Sequence, residues 1–151
     1  MAKKTIILKG DPVIKEYTLS GNITPGMLGM IDTDGKAKVH ATANGTAAAM
    51  FALEDELQGN DIDTAYSSGA IGRFALCRPG DEVYAIMGSL DSIDEGQYLV
   101  SNGDGCLQIA PTIDSASDLV QAGSIVARAL EALTFTSGAA ATARRVKVEI
   151  V

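Results

Sequence analysis

The sequence has no tryptophan, three phenylalanines, four tyrosines, one histidine and two cysteines among 151 residues. With aromatics at 5%, any core has to be assembled from Val, Ile, Leu, Met and Ala, and alanine alone supplies 22 positions. Cys77 and Cys106 lack CxxC spacing and have no histidine set beside them, which argues against a zinc centre and leaves free thiols as the expectation. No apolar run approaches the roughly 20 residues that cross a bilayer as a helix. Met1-Ala2-Lys3-Lys4 leads into too short an apolar stretch for a secretory signal. The expectation is a protein made in a cytoplasm, with no membrane partner.

Basic residues are scarce except at the ends. Residues 1–15 carry Lys3, Lys4, Lys9 and Lys15 against Asp11, for +3, and residues 144–151 carry Arg144, Arg145 and Lys147 against Glu149, for +2. The intervening body is left at −12, within a net charge of −7. An acidic body repels phosphate backbones, and no basic face studded with aromatics exists, so nucleic acid is not an expected partner. The basic termini are either simply solvated or meet an acidic protein surface.

At 15.6 kDa the chain suits one domain with its own core. Turn signals recur every 8–12 residues or so, the cadence of a β-rich domain. Thr5–Leu8 is a β-capable run ended by the turn at 9–12, and Val13, Tyr17 and Leu19 suggest a second extended piece. Met27–Ile31 and Lys36–His40 flank Asp32-Thr33-Asp34-Gly35, a hairpin turn in which Gly35 is free to take positive φ. Phe74–Cys77 and Glu82–Met87 flank Arg78-Pro79-Gly80-Asp81, and Gln97–Ser101 and Cys106–Ile109 flank Asn102-Gly103-Asp104-Gly105. In Arg144–Val151, Val146, Val148 and Ile150 alternate with Arg145, Lys147 and Glu149, giving one core face and one wet face. Helix signals are few: Asp118–Ala122 fits a single turn, and Ile125–Leu133 reads as helix or strand.

The hairpins repeat. Ile23-Thr24-Pro25-Gly26 matches Ile93-Asp94-Glu95-Gly96 at an offset of 70, which also carries Asp34-Gly35 onto Asp104-Gly105 and Val39 onto Ile109. Phe51-Ala52-Leu53-Glu54 then resembles Arg128-Ala129-Leu130-Glu131 at an offset of 77. The fold class expected is mainly β, a small β-barrel or sandwich built from two similar half-sheets, 23–54 and 93–131, with an extended N-terminal arm and little helix.

Patterns for chemistry are sparse. Asp32-x-Asp34-Gly35 opens like an EF-hand loop, but Ala43 stands where the bidentate Glu belongs. Gly103-Asp104-Gly105 starts a GxGxxG that fails at Gln108, and neither GxxxxGK[ST] nor GxSxG occurs. A Cys-His or Ser-His-Asp site would need His40 as its base, with no partner near it in sequence. Glu54-Asp55-Glu56 reads as a wet loop, and Gly59–Gly69 as a long polar loop of the kind that carries function. The expectation is no catalytic residues, no metal and no cofactor.

The turn-and-strand pattern resembles the head decoration, or capsid cement, proteins of tailed bacteriophages. The likeness is carried by Ile23-Thr24-Pro25-Gly26-Met27-Leu28, Asp34-Gly35, Ala52-Leu53-Glu54 and Arg78-Pro79-Gly80-Asp81-Glu82-Val83. It continues in Gly96, Asn102-Gly103-Asp104-Gly105 and the Arg144–Val151 strand. It covers most of residues 20–151, while residues 1–19 match only in character. The resemblance implies a non-enzymatic virion protein, made in the host bacterial cytoplasm. It would bind the major capsid protein on the outside of an expanded icosahedral shell. It also implies a homotrimer at threefold and quasi-threefold positions that stabilises the shell. A phage tail or baseplate component, another oligomeric β-barrel assembly protein, and an enzyme with an intersubunit site of Asp and Ser side chains remain as alternatives.

The division expected is an arm, 1–19, and a single β-rich decoration domain, 20–151. Within the arm, Lys3, Lys4, Thr5, Ile6, Ile7, Leu8 and Lys9 form the candidate capsid-binding segment, and Gly10, Asp11 and Pro12 a hinge. Three consecutive large apolar residues have to be buried somewhere. Two readings remain: an ordinary first strand of the same subunit, or a strand added to a sheet edge of the shell protein, with lysines meeting acidic neighbours.

Overall fold

A computed structural model describes residues 4–88, 92–111 and 123–151. Among them are thirteen strands, and the only helical pieces are two 3-10 turns, Glu56–Gln58 and Ala141–Ala143. In chain order the strands are β1 Ile7–Lys9, β2 Val13–Thr18, β3 Gly29–Ile31, β4 Ala37–Val39, β5 Met50–Ala52, β6 Ile71–Leu76 and β7 Glu82–Ile86. They continue with β8 Ser92–Ile93, β9 Tyr98–Ser101, β10 Leu107–Ile109, β11 Ala127–Ala129, β12 Leu133–Thr134 and β13 Arg145–Ile150. The expected turn at 118–122 lies outside the described residues. The ambiguous 125–133 segment resolves to strand at its centre. Ala127 and Ala129 are buried and Arg128 is exposed, a period of two imposed by pairing with β13 and β9 despite good helix formers.

The sheet orders reveal a duplication. One sheet runs β1-β7-β13-β11-β9-β10. Another runs β2-β6-β5, and a Leu28–Phe51 bridge leads from it into the β3-β4 hairpin, giving β2-β6-β5-β3-β4. Apart from β1, the two orders are the same. Register agrees residue by residue: Gly29–Val39, Met30–Lys38 and Ile31–Ala37 in the first hairpin become Leu99–Ile109, Val100–Gln108 and Ser101–Leu107 in the second. Gly26 N donates to Ala52 O, as Gly96 N does to Ala129 O, both at 2.8 Å. Asp34 Oδ1 accepts from Lys36 N as Asp104 Oδ1 does from Cys106 N, both at 3.0 Å. The two half-sheets expected from the offsets of 70 and 77 are therefore equivalent.

The equivalence extends beyond what sequence displayed. Tyr17 pairs with Gly72 as Ala85 does with Val146, placing β2 on β7 and β6 on β13 at offsets of 68 and 74. Each unit curls until its last strand meets the end of its first through one parallel bridge, Leu19–Ala37 and Met87–Leu107. A single bridge is not a closing ladder, so neither unit is a complete barrel.

Two buried clusters hold this arrangement. The smaller one, with Leu19, Ile23, Ala37, Met50, Ala52, Tyr66 and Phe74, lies within the first unit. There the Phe74 ring fills the space beside two glycines: a Cβ on Gly29 would come 2.9 Å, and one on Gly72 3.2 Å, from the ring. The equivalent positions in the second unit are Val148, Leu99 and Val146, so three buried aliphatic side chains there stand where the first unit has one ring and two glycines. The larger cluster contains Val83, Ala85, Leu99, Leu107, Val146 and Val148 of the second unit together with Leu28, Phe51 and Ala75 of the first.

The glycines at the matching corners give a controlled comparison. Gly26 and Gly96 have φ of +91° and +90°. A Cβ at Gly26 would press on Arg145 Nη1 and lie 2.8 Å from Tyr84 O, whereas nothing lies within 4 Å of one at Gly96. Gly96→Ala is expected to cost about 1–2 kcal/mol from backbone strain alone. Gly26→Ala should cost distinctly more in urea unfolding. Equal losses would mean that packing at Gly26 is irrelevant.

Candidate functional site

The arm segment is tied to both units. Thr5 Oγ1 donates to Glu54 Oε1 at 2.9 Å, and Ile6 N donates to Glu54 Oε2 at 3.1 Å. Tyr84 N donates to Ile6 O at 2.7 Å, and β1 pairs antiparallel with β7, with an irregularity between Ile7 and Lys9. Ile6 is fully buried, Ile7 and Leu8 partly so, and Lys4 and Lys9 are exposed. Lys3 lies outside the described residues. Of the two readings, this structure places the segment as a strand of its own subunit, at the end of the six-stranded sheet. At the end of the expected arm, Leu19 is buried in the first unit's core, and β2 pairs along its whole length with β6.

Gly10, Asp11 and Pro12 turn the chain from β1 in one sheet to β2 in the other. Gly10 has φ +107° and packs against the Asp81 carboxylate, and Arg78 Nη2 donates to Asp11 O at 3.4 Å. The proposed hinge is thus held from the Pro-Gly turn that joins β6 to β7.

Beneath β1 lies a charged cluster. Glu82 stands between Lys9 Nζ at 3.5 Å and Lys147 Nζ at 3.1 Å. Burial works to raise the Glu82 carboxyl, but the two lysines outweigh it and hold it below the usual carboxylate range. A depressed carboxylate contributes stability that is present above its unfolded pKa and lost as pH falls through the folded one. Glu82→Gln should therefore cost stability at neutral pH, with the gap from wild type closing below about pH 4. Thermal melts between pH 3 and 7 that stay parallel would refute this.

Next to the arm is a pocket of ≈ 350 Å³ lined by Lys4, Asp61, Ile62, Asp63, Tyr84, Thr142 and Arg145. Arg145 is the buried feature here. The alternation along the last strand assigned it to the wet face, yet it is 5% exposed. Its Nη1 donates to Pro25 O at 2.8 Å, and its Nη2 to Ile62 O and, at 3.3 Å, to Asp63 Oδ1. The guanidinium lies 5.9 Å from the centre of the Tyr84 ring. Burial draws its pKa down, opposed by Asp63, and an arginine remains charged under all ordinary conditions. Arg145 thus fastens the first unit's corner and the 59–69 loop to the second unit. That loop, polar in sequence, is anchored by its few apolar residues: Ile62 and Tyr66 are buried, and the Tyr66 hydroxyl donates to Leu53 O at 2.9 Å.

Glu54 also departs from expectation, acting as the carboxylate that clamps Thr5 and Ile6 rather than as a solvated loop charge. Glu56, from the same run, pairs with Arg73 at 3.8 Å.

His40 does meet a serine, 61 residues away in sequence. His40 Nδ1 lies 2.7 Å from Ser101 Oγ, and Nε2 lies 3.0 Å from Thr46 O. A carbonyl only accepts, so Nε2 carries the proton, and in the neutral ring Nδ1 accepts from the Ser101 hydroxyl. Ser101 has no exposed surface, and its Oγ also accepts from Gly103 N. The pair clips the 40–46 loop of the first unit to the second hairpin. Burial pushes the Cys77 and Cys106 thiols up to about 12, helped by Asp81 and Asp104 respectively, which makes both poor nucleophiles. Among the described residues no group of three or more His, Cys, Asp or Glu side chains is placed to hold a metal ion. No described helix is long and apolar enough to cross a membrane.

No family model matches the sequence, and no curated protein matches it. Among solved structures, the fold is similar to that of the head fiber gp8.5 N base of bacteriophage phi29. The TM-score is 0.56 at 15% sequence identity, over 92% of this chain and 93% of that one. What the two chains share is the architecture.

Proposed function

We propose that this chain is a non-enzymatic structural protein of a bacteriophage head. It binds the major capsid protein on the outside of the expanded icosahedral shell, as a homotrimer at threefold and quasi-threefold positions, and stabilises that shell. The observation that carries the reading is the likeness of fold to a phage head fiber base along nearly the whole chain. The sequence resemblance to head decoration proteins supports it independently. Physical chemistry is coherent with it: three linked weak contacts bind far more tightly than one, and a body at −12 keeps a decorated particle soluble.

The test is to mix the purified protein with expanded heads and image the particles by electron cryomicroscopy. Density for three copies around each threefold and quasi-threefold position is expected, together with heads that survive higher temperature. Heads left bare at saturating protein, or single copies scattered away from those positions, would overturn the proposal.

A further inference from the structure

The duplication exposes one strand whose counterpart is covered. In the second unit, Met87 N donates to Arg144 O, which sets the phase of the ladder, and the intervening amides of Tyr84 and Ile86 turn outward. They donate to Ile6 O at 2.7 Å and Gly26 O at 3.1 Å. In the first unit, Leu19 N donates to Ala70 O, so β2 has the same phase and the amides of Ile14, Glu16 and Thr18 turn outward. Among the described residues, none of these has an acceptor. The side chains follow the same contrast. Val83, Ala85 and Ile86 are fully buried on β7, whereas Val13 and Ile14 on β2 are 46% and 44% exposed, and Ile71, paired with Thr18, is 61% exposed. A bare strand edge with apolar residues beside it is a template for another strand.

We infer that the outer edge of β2 is a subunit interface, and that its occupant is a second copy of this chain, contributing the open side of its own β1. Three observations select that occupant. The strand that covers the equivalent edge on β7 is β1 itself, so every copy carries a segment already fitted to this kind of edge. β1 and β2 stand at the matching ends of their sheets with no further strand paired to them among the described residues, whereas the far strands β4 and β10 touch Leu19 and Met87 of their own units through one bridge each. Both edges flank the same turn at residues 10–12, so each copy offers one donor edge and one acceptor edge at one corner. A contact between unlike surfaces closes into a ring when its rotation divides the full turn, and a trimer needs a rotation of about 120°. The inference deepens the self-association in the proposed head reading by naming its surface.

Glu16→Pro tests it. Proline there removes an outward amide that β6 does not use, the kind of strand position where proline is tolerated. Light scattering and native mass spectrometry on the free protein over a concentration series should show wild type associating. Glu16→Pro should be at least about tenfold weaker in association with an intact fold, from the loss of about one backbone hydrogen bond and its neighbours. If the proline variant fails to fold, Ile14→Lys, which places a charge on the exposed patch, should show the same loss. Wild type that stays monomeric throughout, or folded variants that associate as wild type does, would overturn the interface. Self-associating wild type that leaves heads bare would overturn the head reading and leave the interface standing.

Discussion

Arg145→Met is expected to lower stability by about 3 kcal/mol, the range seen when one partner of a buried, charge-assisted hydrogen-bond set is removed. For a chain of 151 residues this corresponds to a fall in melting temperature of roughly 6–12 °C. The reason lies in what is left behind. Methionine fills much of the volume, but Pro25 O and Ile62 O lose their donor in a region from which water is largely excluded. Arg145→Lys should recover little, since a single ammonium cannot reach carbonyls on two different loops as the planar fork does. Melting curves of the two variants decide the matter. A loss below about 1 kcal/mol in Arg145→Met would mean that the fork is dispensable and that the junction between the units rests on apolar contact alone.

The effect should be local before it is global. Arg145 is the residue that binds the 59–69 loop to β13, so that loop is expected to exchange its amide hydrogens faster in Arg145→Met even where the sheets remain protected. The His40–Ser101 clip shares no hydrogen-bond partner with Arg145 and is expected to stay intact.

Much of the fold was legible because its turns are chemically explicit. Asp34-Gly35 and Asp104-Gly105 carry both the positive φ and the carboxylate that caps the hairpin, so the repeat could be read at an offset of 70. The duplication of β2 on β7 was not legible, because the two strands face different surroundings. Val13-Ile14-Lys15-Glu16-Tyr17-Thr18 is mostly exposed and its counterpart Asp81-Glu82-Val83-Tyr84-Ala85-Ile86 is mostly covered, so the two share a backbone register but no side-chain pattern. The buried Arg145 was hidden for a related reason. Alternation tells which face a residue takes, but not whether another unit of the chain will pack on that face. Glu54 and the His40–Ser101 pair depend on contacts across 48 and 61 residues, which a linear reading does not reach.

Truncating residues 2–9 is expected to be the most damaging change of all, and to say little about head binding. The deletion removes Ile6, a fully buried member of the larger core cluster. It also strips β1 from β7 and leaves Glu54 without the two donors it clamps. Ile6→Ala alone should cost about 3 kcal/mol, the middle of the range for truncating a buried isoleucine, and the full deletion more. The role proposed for the arm in contacting the shell is better tested at its exposed end. Lys4 and Lys9 are exposed, and the pair Lys9–Glu82 is solvent-accessible on the lysine side, so Lys4→Ala with Lys9→Ala should change stability by less than about 1 kcal/mol. If the arm meets an acidic surface of the shell, this double variant should bind expanded heads several-fold more weakly, and its binding should depend less on salt than that of wild type. Ile6→Ala, at a temperature where it remains folded, should bind as wild type does, because its side chain points into its own core. Unchanged head binding and an unchanged salt dependence in the double lysine variant would remove the arm from the contact. The first strand would then serve the fold it completes and the contact between copies, and not the shell.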